Sequence, residues 1–367
     1  MRILDSGIIS KNKNIGAYKP MILPLENDTW IACQNSGKTV SSPDSFIETL
    51  TSYNAGKNWQ NNGSLHQAHL EKLDWAYRGP QISRISDDKL FMRATRFDTS
   101  KITETFDPDT KSTQTGELIS YWSSDFGKSW TEPSVVNIKE LPSDQFTYNT
   151  AGKVLQINDN LYIYPIETGK PVGYEGNLDQ KAGIIFSYDQ GKSWKDFTVI
   201  ADDPTGEHLY WDQTGTILNN GDIYIMFWVH NLNKFEDLTN HYVLSKDMGK
   251  TWSKPQPTNI QGQACAPIAL NNGNVVTLYT KRYGKQGIYL AMTNDLKNYD
   301  IENEIQIFDA GDEGVLGTPT EGDVLSINLA QGFGKPGGTL LKNGQILLYY
   351  WGTKNSISQS MWATVES

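Results

Sequence analysis

The sequence has few cysteines, no excess of positive charge and no long apolar run. Two cysteines, Cys33 and Cys265, occur in 367 residues, too few for a disulfide framework or a cysteine-based zinc cluster. The net charge of −10 argues against binding of nucleic acid or an anionic membrane over a broad surface. No stretch approaches the roughly 18 apolar residues of a membrane span, so we expect no membrane insertion. No phosphate-binding glycine loop is present either, and we expect no organic cofactor.

The chain also lacks an obvious targeting segment and a linker. Residues Met1–Gly7 contain no apolar core of a secretory signal, so the sequence as it stands predicts a cytoplasmic protein. A periplasmic or secreted protein is the alternative if a signal has been removed. Because no change in composition divides the chain, we expect one domain spanning residues 1–367.

Aromatic residues and glycine are abundant. The chain contains 11 Trp, 18 Tyr, 12 Phe and 32 Gly. Aromatic side chains favour strands and glycine favours tight turns. The composition therefore predicts an all-β protein, in which most of the tryptophans pack in the core.

A tight turn flanked by apolar residues occurs six times along the chain. Its markers are Asp28, Asp88, Asp159, Asn220, Asn272 and Asn343. Three copies contain Asn-Gly, which is a strong signal for a hairpin. The spacing leaves room for about four short strands in each repeat.

A second repeat reads Ser-x-Asp-x-Gly-x-Ser/Thr-Trp. Complete copies span residues 123–130, 187–194 and 245–252, and degraded copies span 52–59 and 293–299. We expect the Asp carboxylate to accept backbone N–H bonds, the Gly to be left-handed and the Trp to pack back on the turn. The pattern predicts a self-contained structural turn without a catalytic role.

This second repeat resembles the Asp-box of the sialidase superfamily, and the resemblance covers about residues 15 to 362. It implies a six-bladed β-propeller with four antiparallel strands per blade, which agrees with the six hairpins. The sixth repeat has no box. In propellers an N-terminal strand usually completes the last blade, so we expect Ile3–Ile9 to pair there.

The innermost strand of each blade should be the one before the hairpin turn, and the starts of these strands should meet at one mouth of the central channel. These strands and their neighbours offer basic, aromatic and carboxylate side chains: Lys19, Arg78, Glu167, Glu207, His208, Tyr210, Trp211, Asp212, Trp228, His230, Gln263, Arg282, Phe333 and Lys335. Such a set suits an anionic or polyhydroxylated ligand, so we expect a glycan partner.

The resemblance to sialidases can be followed residue by residue. Lys19, before Pro20, stands where the family has the first arginine of an Arg-Ile-Pro motif, and Arg282 stands near the fifth-blade arginine. Asp212 falls on the position of the catalytic glutamate. Asp44 lies close to that of the acid/base aspartate, with Glu48 as a second candidate nearby. The last inner strand, residues 332–338, has no tyrosine where the family has its nucleophile, which predicts action on a different glycosidic bond.

The sequence therefore predicts an exo-acting glycoside hydrolase with Asp212 as the leading catalytic carboxylate. A glycosidase needs a second carboxyl group beside the bond, for which the candidates are Asp44, Glu167 and Glu207. We expect an anionic group to be bound by Lys19, Arg78 and Arg282, and the pocket to be shaped by Tyr210, Trp211 and Trp228.

Two other functions stay open. A polysaccharide lyase would need a base, which His208, His230 or Tyr210 could supply, and a cation for the uronate carboxylate. A glycan-binding propeller without catalysis would carry the same repeats. We expect no metal site, although the acidic loop at residues 309–314 could hold calcium, and we expect the long segment 309–331 to cover the mouth.

Overall fold

The computed structural model describes residues 1–65, 75–86, 89–100, 106–107, 110, 112–176, 179–234, 236–311 and 332–366. These residues form β-strands and turns and include no α-helix. Consequently, no helix that could cross a membrane is found in these ranges.

The strands form six small antiparallel sheets arranged as the blades of a β-propeller. The chain starts with β1 (Arg2–Lys11). Blade 1 follows, with β2 (Gly16–Pro24), β3 (Trp30–Gly37), β4 (Phe46–Ser52) and β5 (Gln60–Ser64). Blade 2 contains β6 (Trp75–Arg84), β7 (Leu90–Asp98), β10 (Gly116–Ser123) and β11 (Ser134–Val135), with the small hairpin β8 (Phe106–Asp107) and β9 (Ser112–Thr113) between β7 and β10.

Blades 3 and 4 each carry one short additional strand. Blade 3 consists of β12 (Thr147–Thr150), β13 (Leu155–Gln156), β14 (Tyr162–Gly169), β15 (Lys181–Ser187) and β16 (Lys195–Asp202). Blade 4 consists of β17 (His208–Ile217), β18 (Ile223–Asn231), β19 (Glu236–Asp237), β20 (His241–Ser245) and β21 (Gln256–Pro257).

The last two blades complete the ring. Blade 5 contains β22 (Cys265–Ala269), β23 (Val275–Lys281), β24 (Gly287–Thr293) and β25 (Ile305–Asp309). Blade 6 contains β26 (Phe333–Leu340), β27 (Ile346–Lys354) and β28 (Ile357–Glu366), and β1 is its fourth strand. Arg2 of β1 pairs with Glu366 of β28, which confirms that an N-terminal strand closes the last blade.

The six hairpin turns join the first and second strands of each blade, as predicted. The backbone N–H of Leu218 donates to the Asp222 carbonyl at 2.8 Å, and Leu341 donates to Gln345 at 2.8 Å. Gly221, with φ of 87°, takes the left-handed conformation that the Asn-Gly signal implies. The marker Asp88 lies outside the described residues, but Ile85 bonds to Lys89 across that turn at 2.9 Å.

The Asp-box turns have the predicted geometry. In the copy of blade 3, one carboxylate oxygen of Asp189 accepts from the Ser193 N–H at 2.9 Å and from the Ser187 hydroxyl at 2.8 Å. The other oxygen accepts from the Ser193 hydroxyl at 2.6 Å. Trp194 folds back to donate from its indole N–H to the Gly191 carbonyl at 3.0 Å, which confirms the self-contained turn.

Each of the first four boxes also packs against the preceding blade. The backbone of its glycine lies against a side chain of the preceding blade, so that a Cβ would collide or touch there. The pairs are Gly56 with Trp362, Gly127 with Ile31, Gly191 with Phe91, and Gly249 with Ile163. The boxes therefore hold the ring together on the face opposite the mouth.

Candidate active site at the mouth of the channel

Four inner strands are interrupted at the same level by a β-bulge. The pairing with the second strand shifts after Tyr18, Arg78, Trp211 and Gly334. A proline follows the bulged residue in three of these strands, at positions 20, 80 and 336. Because proline has no N–H to donate to the ladder, the sequence favours a break at this level. Bulges commonly re-aim side chains beside active sites.

The bulged residues at three of these places are charged and have left-handed backbones. Their φ angles are 49° for Lys19, 52° for Asp212 and 38° for Lys335. A left-handed conformation costs a residue with a side chain about 1–3 kcal/mol, and such strain clusters at functional sites. Three blades therefore each place a charged side chain at the mouth at a cost in backbone energy.

Glu167 and Asp212 form a carboxyl pair at this mouth. The backbone N–H of Asp212 donates to the Glu167 carboxyl at 3.0 Å, and the Asn149 side-chain amide donates to its other oxygen at 2.8 Å. The Lys335 ammonium donates to the Asp212 carboxylate at 2.5 Å. The three side chains come from β14, β17 and β26, so only ring formation brings them together.

The surroundings shift the pKa values of the two carboxyl groups in opposite directions. Burial and the adjacent Asp212 carboxylate together raise the pKa of Glu167 to about 7, against the opposing effect of Lys335. Burial alone would also raise the pKa of Asp212, but the charge and hydrogen bond of Lys335, with the charges of Lys19 and Arg282, bring it below its ordinary value. Glu167 is thus the proton-bearing member of the pair, and Asp212 the ionised one.

The lysines at the mouth differ in the same way. Burial, together with the nearby Lys335 ammonium, lowers the pKa of Lys19 to about 8. Burial would lower the pKa of Lys335 too, but Asp212 and Glu167 raise it above its ordinary value. Lys335 is therefore a permanent cation that holds Asp212 ionised.

Arg282 directly follows β23, the second strand of blade 5, and its side chain lies at the mouth. Its guanidinium donates to the Phe333 carbonyl at 2.5 Å and to the Gln263 side chain at 3.2 Å, and it stacks on the Phe333 ring with 4.1 Å between the carbon and the ring centre. Its Nη1 atom is buried and has no partner among the described residues. This nitrogen can donate to a ligand.

Arg78 contacts the segment that carries Asp44. Its guanidinium donates to the Ser41 carbonyl at 2.6 Å, to the Ser45 hydroxyl at 3.3 Å and to the Gln114 side chain at 3.1 Å. Asp44 accepts from the Lys38 N–H at 3.4 Å. Arg78 thus secures the loop of Asp44, and its charge still reaches Lys19.

Other candidates on blade 4 lie away from the carboxyl pair. His208 is four residues before Asp212 on β17, roughly 13 Å along an extended strand. It pairs with Asp203 at 2.8 Å, and Glu207 accepts from the Asn231 amide at 2.9 Å. The Tyr210 ring packs edge-on against Phe227 at 5.8 Å, beside the core of blades 3 and 4.

The aromatic candidates next to Asp212 are organised around a buried carboxylate, Asp237. One of its oxygens accepts from Trp228 and His230, and the other accepts from Gln263 and Tyr283, each at 2.8 Å. Trp228 and His230 are 3% and 1% exposed, so they lie beneath the surface. Trp211, which is half-buried, packs against both rings at 5.0 and 6.3 Å.

Sequence reasoning named Glu167, Asp212 and Lys19 but did not assign roles to Lys335, Asn149 or Asp237. Lys335 was among the residues predicted to line the channel, and the X-Pro dipeptide that recurs in the inner strands could have indicated its position at the site. Asp237 carried no local signal, because two of its four donors lie on β18 and the other two lie in loops, 26 and 46 positions away. The predicted lid and the end of the acidic loop, residues 312–331, lie outside the described residues.

Comparison with known proteins places this geometry in a family. The family model of the BNR repeat-like domain matches residues 28–316. A sialidase of Bacteroides fragilis is 24% identical over 143 residues, covering 38% of this chain and 23% of that protein. The match thus spans about a quarter of the length of this curated relative.

Solved structures share the fold at low sequence identity. A protein of unknown function from Dyadobacter fermentans aligns with a TM-score of 0.72 and 16% identity, covering 99% of both chains. The intramolecular trans-sialidase of Ruminococcus gnavus gives 0.61 and 13%, covering 94% of both chains. The Trypanosoma rangeli sialidase gives 0.62 and 15%, covering 95% of this chain and 54% of that one.

The Asp-box turns, the six blades and the match over residues 28–316 agree. The chain belongs to the BNR-repeat family and is a six-bladed, sialidase-like β-propeller.

Proposed function

We propose that the protein is an exo-acting glycoside hydrolase that works at the mouth of its channel. The observation that carries this proposal is the Glu167–Asp212 pair, in which neighbouring carboxyl groups have pKa values shifted in opposite directions. Glycosidases use such a pair, one group protonated and the other ionised. A glycan-binding propeller has no need for a buried, protonated carboxyl group beside an ionised one.

The roles follow from the protonation states. Glu167 donates its proton to the oxygen of the leaving group, and the ionised Asp212 either activates water or attacks the anomeric carbon. Lys335, at 2.5 Å from Asp212, keeps that carboxylate ionised. It occupies the last inner strand, where sialidases carry their tyrosine, so we assign the attacking role to Asp212 or its activated water.

The charges favour an acidic sugar. Lys19, Arg282 and Lys335 surround one ionised carboxylate and one protonated carboxyl group, although the whole chain carries a net charge of −10. Within the described part of the chain, Lys19 and the Nη1 of Arg282 have no acceptor and can donate to a substrate carboxylate. Directly below the mouth the channel narrows to a cavity of about 30 Å³, so the pocket suits the end of a glycan rather than its middle.

The decisive experiment compares Glu167→Gln with Glu207→Gln on glycosides with good and poor leaving groups, including a sialoside and a glucuronide. We expect Glu167→Gln to lower kcat by about 10²–10⁴ on poor leaving groups and far less on activated aryl glycosides, because only the former need a proton. Glu207→Gln, at the rim, should retain activity. Full activity of folded Glu167→Gln on poor leaving groups would overturn the proposal.

The same reactions separate the other candidate functions. Ultraviolet absorbance from an unsaturated uronate, without hydrolysis, would indicate a lyase. Binding of a glycan without turnover of any substrate, unchanged in Glu167→Gln, would indicate a binding module. Either outcome would replace the hydrolase.

A further inference from the structure

The channel continues below the active site and widens into a second chamber. The small cavity under the mouth and a larger one of about 370 Å³ share Lys153, Gly338 and Tyr349 in their walls. These residues line the constriction between the two cavities, which we call the waist. The larger cavity, which we call the axial chamber, lies among the second halves of the inner strands, toward the hairpin turns.

The axial chamber has mainly apolar walls from several blades. Met21 and Leu23 come from blade 1, Ile82 from blade 2, Leu155 from blade 3 and Ile217 from blade 4. Such walls bind hydrocarbon surface by excluding water from it. The volume is at the lower end of the range for small-molecule pockets.

Two cations line this chamber: Arg84, whose guanidinium pairs with Glu26 at 3.4 Å, and Lys153 at the waist. The Lys153 ammonium has one acceptor among the described residues, the Gly338 carbonyl across the axis, at a long 3.5 Å. Burial lowers the pKa of Lys153, and no neighbouring carboxylate opposes that effect. An ammonium has three donors, so Lys153 retains donors for a ligand, and a confined cation without an anion is unfavourable.

From the apolar walls and the Lys153 ammonium we infer that the axial chamber binds a small monocarboxylate with an aliphatic or aromatic body. The carboxylate meets Lys153 at the waist, and the hydrocarbon part contacts Leu23 and Ile217, the half-buried apolar side chains of the wall. Because the charge of Arg84 is already balanced by Glu26, Lys153 suits a monoanion, and the apolar walls disfavour a free phosphate or sulfate. This site is separate from the Glu167–Asp212 pair and does not depend on the proposed hydrolase.

Calorimetric titration and saturation-transfer NMR on the whole chain test the inference, with hexanoate and benzoate as probes. Hexanol and hexylamine are the matched controls, because they keep the apolar body and remove or reverse the charge. We expect binding of the carboxylates and at least about tenfold weaker binding of both controls, as for the loss of one charge-assisted hydrogen bond.

Two variants locate the binding. Lys153→Met removes the ammonium, and Leu23→Trp fills the chamber while leaving Lys153 in place. Both should weaken hexanoate binding at least about tenfold, whereas Lys19→Met, at the mouth, should not. If Lys153→Met does not fold, the Leu23→Trp result and the hexanol control still decide. Loss of binding in Lys19→Met alone, equal binding of hexanol, or no binding of either carboxylate would overturn the inference.

Discussion

The buried carboxyl group of Glu167 makes a quantitative prediction about stability and pH. Its pKa of about 7 in the folded protein compares with about 4.3 in an unfolded chain. At about 1.4 kcal/mol per pH unit, the gap corresponds to about 3–4 kcal/mol. Because the folded pKa is raised, the folded state holds the proton more tightly. The stability from this group is complete below about pH 4.3 and is lost as pH rises through about 7.

The substitution Glu167→Gln removes this titration, since an amide stays neutral at every pH. The substitution also lowers the free energy of unfolding at all pH values. Two N–H groups donate to the Glu167 carboxyl oxygens, and the NH₂ group of glutamine would face one of these donors with another donor. The informative quantity is therefore the change with pH in the difference between variant and wild type. We expect that difference to move by up to about 3 kcal/mol in favour of the variant between pH 4 and pH 8.

The assay is urea unfolding followed by tryptophan fluorescence at several pH values, with Glu207→Gln as the control. The control should track the wild type, because Glu207 lies at the rim and bonds to Asn231. Parallel pH dependence of Glu167→Gln and wild type would refute the raised pKa, and with it the assignment of Glu167 as the acid.

Further outcomes follow from other parts of the structure. Hydrolysis should decline as pH rises through about 7, as Glu167 loses its proton, and in Asp212→Asn it should fall by about 10²–10⁴ at every pH; a rate that instead rises above pH 7 in the wild type would contradict these roles. Arg93 is fully buried between aromatic rings and has no hydrogen-bond partner among the residues that the structure describes, so Arg93→Met should leave the free energy of unfolding unchanged or higher; a loss above about 1 kcal/mol in denaturant unfolding would reveal an acceptor for the guanidinium. Asp189→Ala removes three hydrogen bonds of an Asp-box and should cost about 2 kcal/mol without changing kcat, whereas Lys192→Ala in the same turn should stay within about 0.5 kcal/mol; an equal loss in both variants would contradict the role of the carboxylate.

Local patterns in the sequence predicted most of the fold. The hairpins and Asp-boxes are closed by hydrogen bonds between residues at most five positions apart, as in Asp189 to Ser193, so their chemistry is readable in short windows. Six such units imply six blades. Closure by β1 was predicted from the family resemblance and the missing box of the sixth repeat.

The site was only partly predictable, because its contacts join distant blades. Lys335 and Asp212 are 123 positions apart, and no local pattern states that their bulges face each other. Nor could a sequence show that Trp228 and His230 would turn inward to Asp237, since an alternating strand leaves the facing of each residue to its neighbours. Burial, which separates the pKa values of Glu167 and Asp212, exists only after the ring has formed.

The pairing of β1 with β28 has a consequence for how the protein is made. Of the propeller strands, β1 is synthesised first and pairs with β28, which is synthesised last, from Arg2 with Glu366 to Lys11 with Gln359. During synthesis β1 must therefore wait, unpaired, while five blades form behind it. Until β28 emerges, Ile9, which is 4% exposed in the folded protein, has no sheet to join. Nascent chains should accordingly gain protease resistance at β1 in a single late step, and a chain relinked from residue 366 to residue 2 and reopened in an exposed turn should avoid that delay.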